Sequence, residues 1–420
     1  MKRKILFHFF IIFYFMLYGT TTRAIESPFS LKGQLSGWLI VNENESKLDN
    51  TRIGISYIPQ LSTLSGRLIV NENESITDNE NESEADNTRI GIRYIPEFSA
   101  KYPINDYMNL DAELSLNIYG ETIFRSTSDY DDHSSLDVDH SDLEIYRSWV
   151  RFSTNQFEMR LGLQKLNFGP ARILRSMIWF DSLDPQDPLD ITNGVWGLLG
   201  RYFFINNSNV WLWGLYDNED LKGSEVVKTD DKKVEYGGRI QYPLFNGEMA
   251  ITYHHRNFDR NDWALKKSTN LIDVEENRFA IDGIWDVEVG LWFEAFVCKI
   301  YRDHSTRLFK NYFTIGSDYT FESGWHVLGE HFIQTMDPKI DETDELNEIS
   351  AISVDYPVNI VDSISAIIYY NWKIDKLDYY LSWRSSYDDW VIDLLSFSNS
   401  NDTDSTFAEN GIQLIISYYH

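Results

Sequence analysis

From Phe29 onward the chain repeats one unit, about ten residues of alternating apolar and polar side chains followed by a polar connection. Gln156 to Gln164 sets Phe157, Met159, Leu161 and Leu163 against Glu158, Arg160, Gly162 and Gln164. Val234 to Tyr242 sets Val234, Tyr236, Ile240 and Tyr242 against Glu235, Gly237, Arg239 and Gln241, and Arg278 to Trp285 behaves alike. A period of two is the mark of a strand with one apolar and one polar face. A β-sandwich would share it, so the connections have to decide. Ser153 to Asn155, Asn206 to Ser208, Pro243 to Gly247, Asp286 to Glu288, Glu322 to Gly324 and Ser386 to Asp388 are short. Between them lie long polar segments at 71–87, 120–141, 166–192, 217–232, 257–276, 337–346 and 398–409. A transmembrane barrel requires this parity, with short turns on one rim and long loops on the other. A Greek-key sandwich has no reason to keep it. The spacing predicts an all-β chain, a transmembrane antiparallel up-and-down β-barrel of about 18–20 strands, with an inserted loop or short helix at 166–192.

Trp 13, Tyr 25 and Phe 25 argue against disorder despite a net charge of −28. They belong on the lipid face and its girdles. Trp196, Tyr202, Trp211, Trp213, Tyr216, Tyr242, Trp285, Tyr301, Tyr319, Trp325, Tyr369, Tyr370 and Trp372 fall near strand ends. So acidic a chain is repelled by phosphate backbones, which excludes nucleic acid as a partner. The lone Cys298 allows neither an intrachain disulfide nor a structural zinc site.

At the N-terminus, Lys2, Arg3 and Lys4 precede an apolar run from Ile5 to Tyr18 and a small-x-small site at Thr22-Arg23-Ala24. This predicts a secretory signal peptide over 1–24 and a barrel over 25–420, in the outer membrane of a Gram-negative-type bacterium. An uncleaved anchor is the competing reading, although the run is shorter than the ~20 residues a helical span needs. The C-terminal segment 411–420, with Ile412, Leu414, Ile416 and Tyr418 at alternate positions, reads as the strand that outer-membrane assembly machinery recognises.

One hairpin is duplicated, at 35–59 and 64–96. Leu35 to Ser46 returns as Leu64 to Ser75 with Arg67 in place of Trp38, and Asp49 to Pro59 returns as Asp86 to Pro96. A whole extra hairpin preserves parity and closure, which predicts an 18-strand plan expanded to about 20; the alternative leaves one copy outside the wall. Acidic runs at Glu72 to Asp86 and Asp129 to Glu144 suit solvated external loops, with divalent-cation bridging to lipopolysaccharide or bound Ca²⁺ as the functional alternative. No metal or cofactor site follows from them, since neither fits a calcium-loop spacing. His254 and His255 lie on opposite faces of one strand and cannot chelate together.

Function should reside on the inward face. Arg147, Arg151, Arg160, Arg201 and Arg239 fall on inward positions together with Arg256, Glu158, Glu235, Asp282 and Glu294. They could attract anions, or form a lattice with the carboxylates that braces the wall. In the 166–192 segment, inward folding would bury Ile173, Leu174, Ile178, Trp179 and Phe180 and aim Arg172 and Arg175 at the pore. Packing on the external rim is the alternative. The run Leu161-Gly162-Leu163-Gln164, then Asn167-Phe168-Gly169, resembles the strand-end signature of outer-membrane porins of the alginate-export and related large single-chain types. The resemblance is close in this segment and architectural elsewhere. It implies a barrel that passes small solutes or an anionic polysaccharide through an arginine-lined pore. No Gly-x-Ser-x-Gly or His-Glu-x-x-His run suggests an enzyme. The reading is a passive channel for small polar or anionic solutes, with an export conduit for an acidic polysaccharide or an adhesive barrel acting through its acidic loops as alternatives.

Overall fold

The computed structural model describes residues 29–43, 87–125, 136–181, 189, 191–262, 273–302, 306–336, 346–398 and 410–420. The first strands are β1 (Phe29–Glu43), β2 (Asn87–Asn105), β3 (Met108–Arg125), β4 (Leu136–Thr154), β5 (Phe157–Gln164) and β6 (Val195–Phe203). Then follow β7 (Asn209–Leu215), β8 (Glu235–Leu244), β9 (Gly247–Asn257), β10 (Val274–Val287), β11 (Val289–Arg302) and β12 (Thr306–Thr320). The last are β13 (His326–Met336), β14 (Leu346–Pro357), β15 (Asp362–Asn371), β16 (Lys376–Tyr387), β17 (Trp390–Ser398) and β18 (Asn410–Tyr419). Each pairs antiparallel with the next, and β1 pairs with both β18 and β2, so the described strands close a single 18-stranded up-and-down barrel.

Register assigns the two faces, because directly opposed residues share a side. Leu212, Ile240 and Ile251 point outward, 65%, 61% and 65% exposed, while Arg239, Thr252 and Asp282 point inward and are buried. A soluble protein would bury the first set; lipid covers it in a membrane barrel. The parity of connections holds, with both barrel termini at the short-turn end. On the opposite rim, the β11–β12 connection at 303–305 and the β15–β16 connection at Trp372 to Asp375 are nevertheless short. The connection expected over 120–141 is shorter than its polarity suggests, since β3 runs to Arg125 and β4 starts at Leu136. Part of the acidic run is therefore strand, with Asp142 opposite Tyr119. Strands that rise above the lipid can carry charge on both faces.

The barrel stays at 18 strands, below the upper figure expected from the duplication. β1 is the outgoing strand of the first copy and β2 the return strand of the second, joined over 14 pairs that include Trp38 with Gly91 and Ile40 with Arg89. Both edges of β1 are occupied, and β1 and β2 are direct neighbours in the wall. The two return segments are nearly identical, so β1 could match either. The tight turn at 106–107 ties the second copy to β3 and decides the pairing. Deleting 50–86 would join Asp49 to Asn87 and restore the run Asp-Asn-Thr-Arg-Ile-Gly-Ile. The shortened chain should fold and show the parent's single-channel conductance; a smaller conductance would place the deleted hairpin in the wall. Residues 1–28, the remainder of the duplication and the acidic run at Glu72 to Asp86 lie outside the described residues.

Candidate functional site

The inner wall is filled along one arc and open along the other. The inward residues Arg239, His254, Arg278, Trp292, Glu294, Phe296, Thr314, Phe332 and Ala351 of β8 to β14 are buried. What covers them is the chain that leaves β5 and turns back into the barrel. Leu166, Phe168, Ala171, Ile173, Leu174, Met177, Ile178, Trp179 and Phe180 are buried against that arc. Phe168 stacks on Trp213 with ring centroids 5.7 Å apart and meets Trp179 edge-on at 5.3 Å.

Two inward carboxylates hold this segment. Glu330 accepts the backbone N–H groups of Arg172 (2.7 Å), Ile173 (2.9 Å) and Leu174 (2.5 Å), and the indole N–H of Trp292 (2.8 Å). Glu294 accepts the N–H groups of Ala171 (3.0 Å) and Met177 (2.8 Å) and the Ser176 hydroxyl (2.9 Å). Thr314 donates to the Leu174 carbonyl at 2.8 Å. Of the loop or short helix expected over 166–192, the described residues 166–181 form the loop: the segment is irregular. Its amides donate to wall carboxylates, and an amide so used cannot close an i→i−4 bond. Gly169 has φ +96°, and a Cβ there would come within 2.4 Å of Glu294 Oε1, so only glycine allows the approach. The motif that carried the resemblance is thus the entry to the segment. Gln164 completes it by donating to the carbonyls of Arg160 and Gly197 at 3.2 and 3.0 Å.

The β7–β8 connection also folds inward, which the sequence did not suggest. Ser224 N–H donates to the Ile178 carbonyl at 2.9 Å. A Cβ on Gly223, at φ +47°, would sit 1.9 Å from the same oxygen. This connection brings Lys222 and Glu225 onto Glu235, Arg256, Glu276 and Arg278. Three cations meet three carboxylates, all buried, so the network is neutral. His254, fully buried, accepts from Trp213 Nε1 at 3.3 Å through Nδ1 and faces Glu235 at 3.3 Å through Nε2.

The seven arginines expected at the pore separate into groups. Arg239 is 5% exposed and gives a double hydrogen bond to Asp282 at 2.6 and 2.7 Å, so its charge is spent inside the wall. Arg147 is buried and donates to the Thr192 carbonyl at 2.8 Å, pinning the returning chain. Arg172 pairs with Asp318 at 2.5 Å and Arg175 with Asp181 at 3.0 Å. Arg151, Arg160 and Arg201 converge on the open arc. Glu158 lies 3.8, 3.1 and 3.9 Å from them, and Asp111 takes Arg151 at 2.7 Å. Arg160 lies over Trp149 at 4.6 Å and Arg201 over Trp211 at 3.9 Å. Such stacking fixes the planes of the guanidinium groups and leaves their edges as donors. Trp211, Trp213 and Tyr369, expected in the girdles, face inward instead. Asn209 to Leu215 is apolar on both faces, so alternation could not orient it.

The chain returning to β6 reaches the far wall. Leu189 packs on the cluster of Trp38, Ile40, Leu395 and Ile415, and its carbonyl accepts from Arg93. The β5–β6 connection therefore touches both sides of the lumen. Among the described residues the carboxylates of Asp217, Glu219 and Asp231 lie within 4.8 Å of one another on the long-loop rim.

No protein-family model and no curated protein matches the chain. Solved structures do. OccAB4 of Acinetobacter baumannii is 6% identical over 94% of this chain and 98% of that one, with a TM-score of 0.52. OccK7 (OpdD) of Pseudomonas aeruginosa is 7% identical over 93% and 99%, at 0.51. The anion-selective porin from Comamonas acidovorans is 11% identical over 94% and 100%, at 0.45. The fold is that of the bacterial outer-membrane porins. At such identities the likeness concerns the fold alone. In this porin-type barrel the lumen is reduced to the space between the inserted segment and the inner faces of β1–β6 and β15–β18, where Gln34, Glu97, Glu113, Trp149, Arg151, Arg160, Arg201 and Ser382 are only half-buried.

Proposed function

We propose that the protein is an outer-membrane diffusion channel for small polar solutes, exported by a signal peptide over 1–24, and that its open arc favours anions. The observation that supports this most directly is the grouping of Arg151, Arg160 and Arg201 around Glu158, with Asp111 the second carboxylate. These three guanidinium groups share a half-exposed wall with Glu158, Asp111, Glu113 and Glu97, and their stacked planes offer donor edges in low-dielectric surroundings, where a field acts more strongly than in bulk water. The filled arc offers no comparable cation cluster, because its buried Lys222, Arg239, Arg256 and Arg278 are each paired with carboxylates.

The refolded chain in a planar bilayer under a salt gradient should conduct with a reversal potential on the anion side. The triple substitution of Arg151, Arg160 and Arg201 by alanine should move that potential towards cation selectivity while conductance persists. A wild type that does not conduct would end the channel reading. An unmoved reversal potential would end the assignment of selectivity to these three residues.

A further inference from the structure

The outer wall carries a polar rung where the lipid face should be apolar. Tyr236 is opposite His255, His255 opposite Asn277, Asn277 opposite Lys299, and Lys299 opposite Phe309, so one register line crosses β8 to β12 on the outward side. The groups are tied together. Tyr253 OH donates to Asn277 Oδ1 at 2.7 Å, and His255 Nδ1–H donates to the same oxygen at 3.1 Å. Asn257 lies 3.4 Å from His255 Nε2, and the Tyr236 and His255 rings are 4.9 Å apart. With Oδ1 taken twice, Asn277 keeps its NH2 donors to offer on the strand position opposite Lys299, whose ammonium lies over Phe279 at 5.3 Å. Among the described residues no carboxylate pairs with Lys299.

Depth makes the rung informative. Val289, Leu291, Phe293, Ala295 and Val297 are the outward residues of β11 between the short turn and Lys299. Ten residues of strand span about 33 Å, or about 25 Å along the membrane normal at a tilt of about 40°. Lys299 therefore stands at the outer boundary of the hydrocarbon, on the rim of the long loops. An unpaired ammonium there costs least when an anion meets it. Three strand spacings from Tyr236 to Lys299 cover about 14 Å, enough for a disaccharide.

We propose that this rung binds the phosphorylated glucosamine headgroup of an outer-leaflet glycolipid, a phosphate resting on Lys299 and Asn277 and a sugar on the Tyr236–His255 face. This rests on the outer-membrane reading above but not on the selectivity of the pore. The chain as a whole is strongly acidic, −28, and would repel a phosphorylated surface unless it offered a local cation where the phosphates lie.

The test titrates the refolded full chain in mild detergent with bisphosphorylated lipid A, dephosphorylated lipid A and phosphatidylglycerol, counting bound lipid by native mass spectrometry. Wild type should retain bisphosphorylated lipid A. Removing the phosphates, or substituting Lys299→Gln, should each weaken binding about tenfold or more. Lys299→Arg should keep it, and His255→Phe should weaken it less. Equal binding by Lys299→Gln and wild type, or phosphatidylglycerol bound as tightly as lipid A, would overturn the proposal. Lys299 lies outside the lumen, so an unchanged conductance of Lys299→Gln shows that the barrel is folded. Failure of the channel reading appears separately, as a wild type that binds lipid A but does not conduct.

Discussion

Substituting Glu294→Ala and Glu330→Ala together should free residues 166–181 from the wall and raise single-channel conductance several-fold. Glu330 is 3% exposed and accepts three consecutive backbone N–H groups and one indole N–H. Without the carboxylate, those donors remain in a packed interior with no acceptor, at about 1–3 kcal/mol for each. A second carboxylate, Glu294, still holds Ala171, Ser176 and Met177, so the single substitution should loosen the turn at 172–174 and the pair Glu294→Ala/Glu330→Ala should release the whole segment. Glu330→Gln tests charge against shape, because an amide presents one acceptor oxygen to a site that uses both. Conductance of the double variant equal to wild type would show that the segment is not what narrows the lumen.

The substitution Arg256→Met should lower the stability of the barrel by about 3–5 kcal/mol. Arg256 is 2% exposed and joins Glu225 at 3.0 Å to Glu276 at 2.7 Å, with the Val227 carbonyl and Thr229 hydroxyl as further acceptors. Removing it leaves two buried carboxylates facing Lys222 and Arg278 alone, and breaks the tie that draws the β7–β8 connection into the lumen. Urea unfolding of the refolded protein, followed by the shift between folded and unfolded bands in electrophoresis, should give an earlier midpoint. Protease added outside intact vesicles should cut within 216–234 in the variant and spare the wild type. The double variant Arg256→Met/Glu276→Met removes both charges of one pair and should recover much of the loss. A variant as stable as wild type would mean that the network is ornamental to the fold.

Much of the architecture is legible in single residues and their spacing. The alternation at 156–164 and 234–242 orients Arg160 and Arg239 inward as the register does. Where both faces are apolar, as in Asn209 to Leu215, alternation is silent and the indoles of Trp211 and Trp213 come out on the lumen side. The site was less accessible. Alternation marks Glu294 as an inward carboxylate, but nothing local distinguishes a carboxylate that accepts amides, Glu330 included, from one that faces water. Glu330 and Arg172 are separated by 158 residues, so their meeting has no trace in either neighbourhood. The one available hint was compositional: an apolar stretch with two arginines and Gly169 in a connection that should be polar.

The amino-acid order alone determined the two-faced strands, the parity of their connections and therefore a closed antiparallel barrel in a membrane, because side-chain period and turn length are local properties. Closure at 18 strands was decided only in three dimensions, since two near-identical return segments compete for one partner and the turn to β3 selects between them. The division of the inner wall was decided there too. Whether an inward arginine faces a solute or a carboxylate depends on which connections fold back over it, and those connections are held by acceptors from strands far away in the chain.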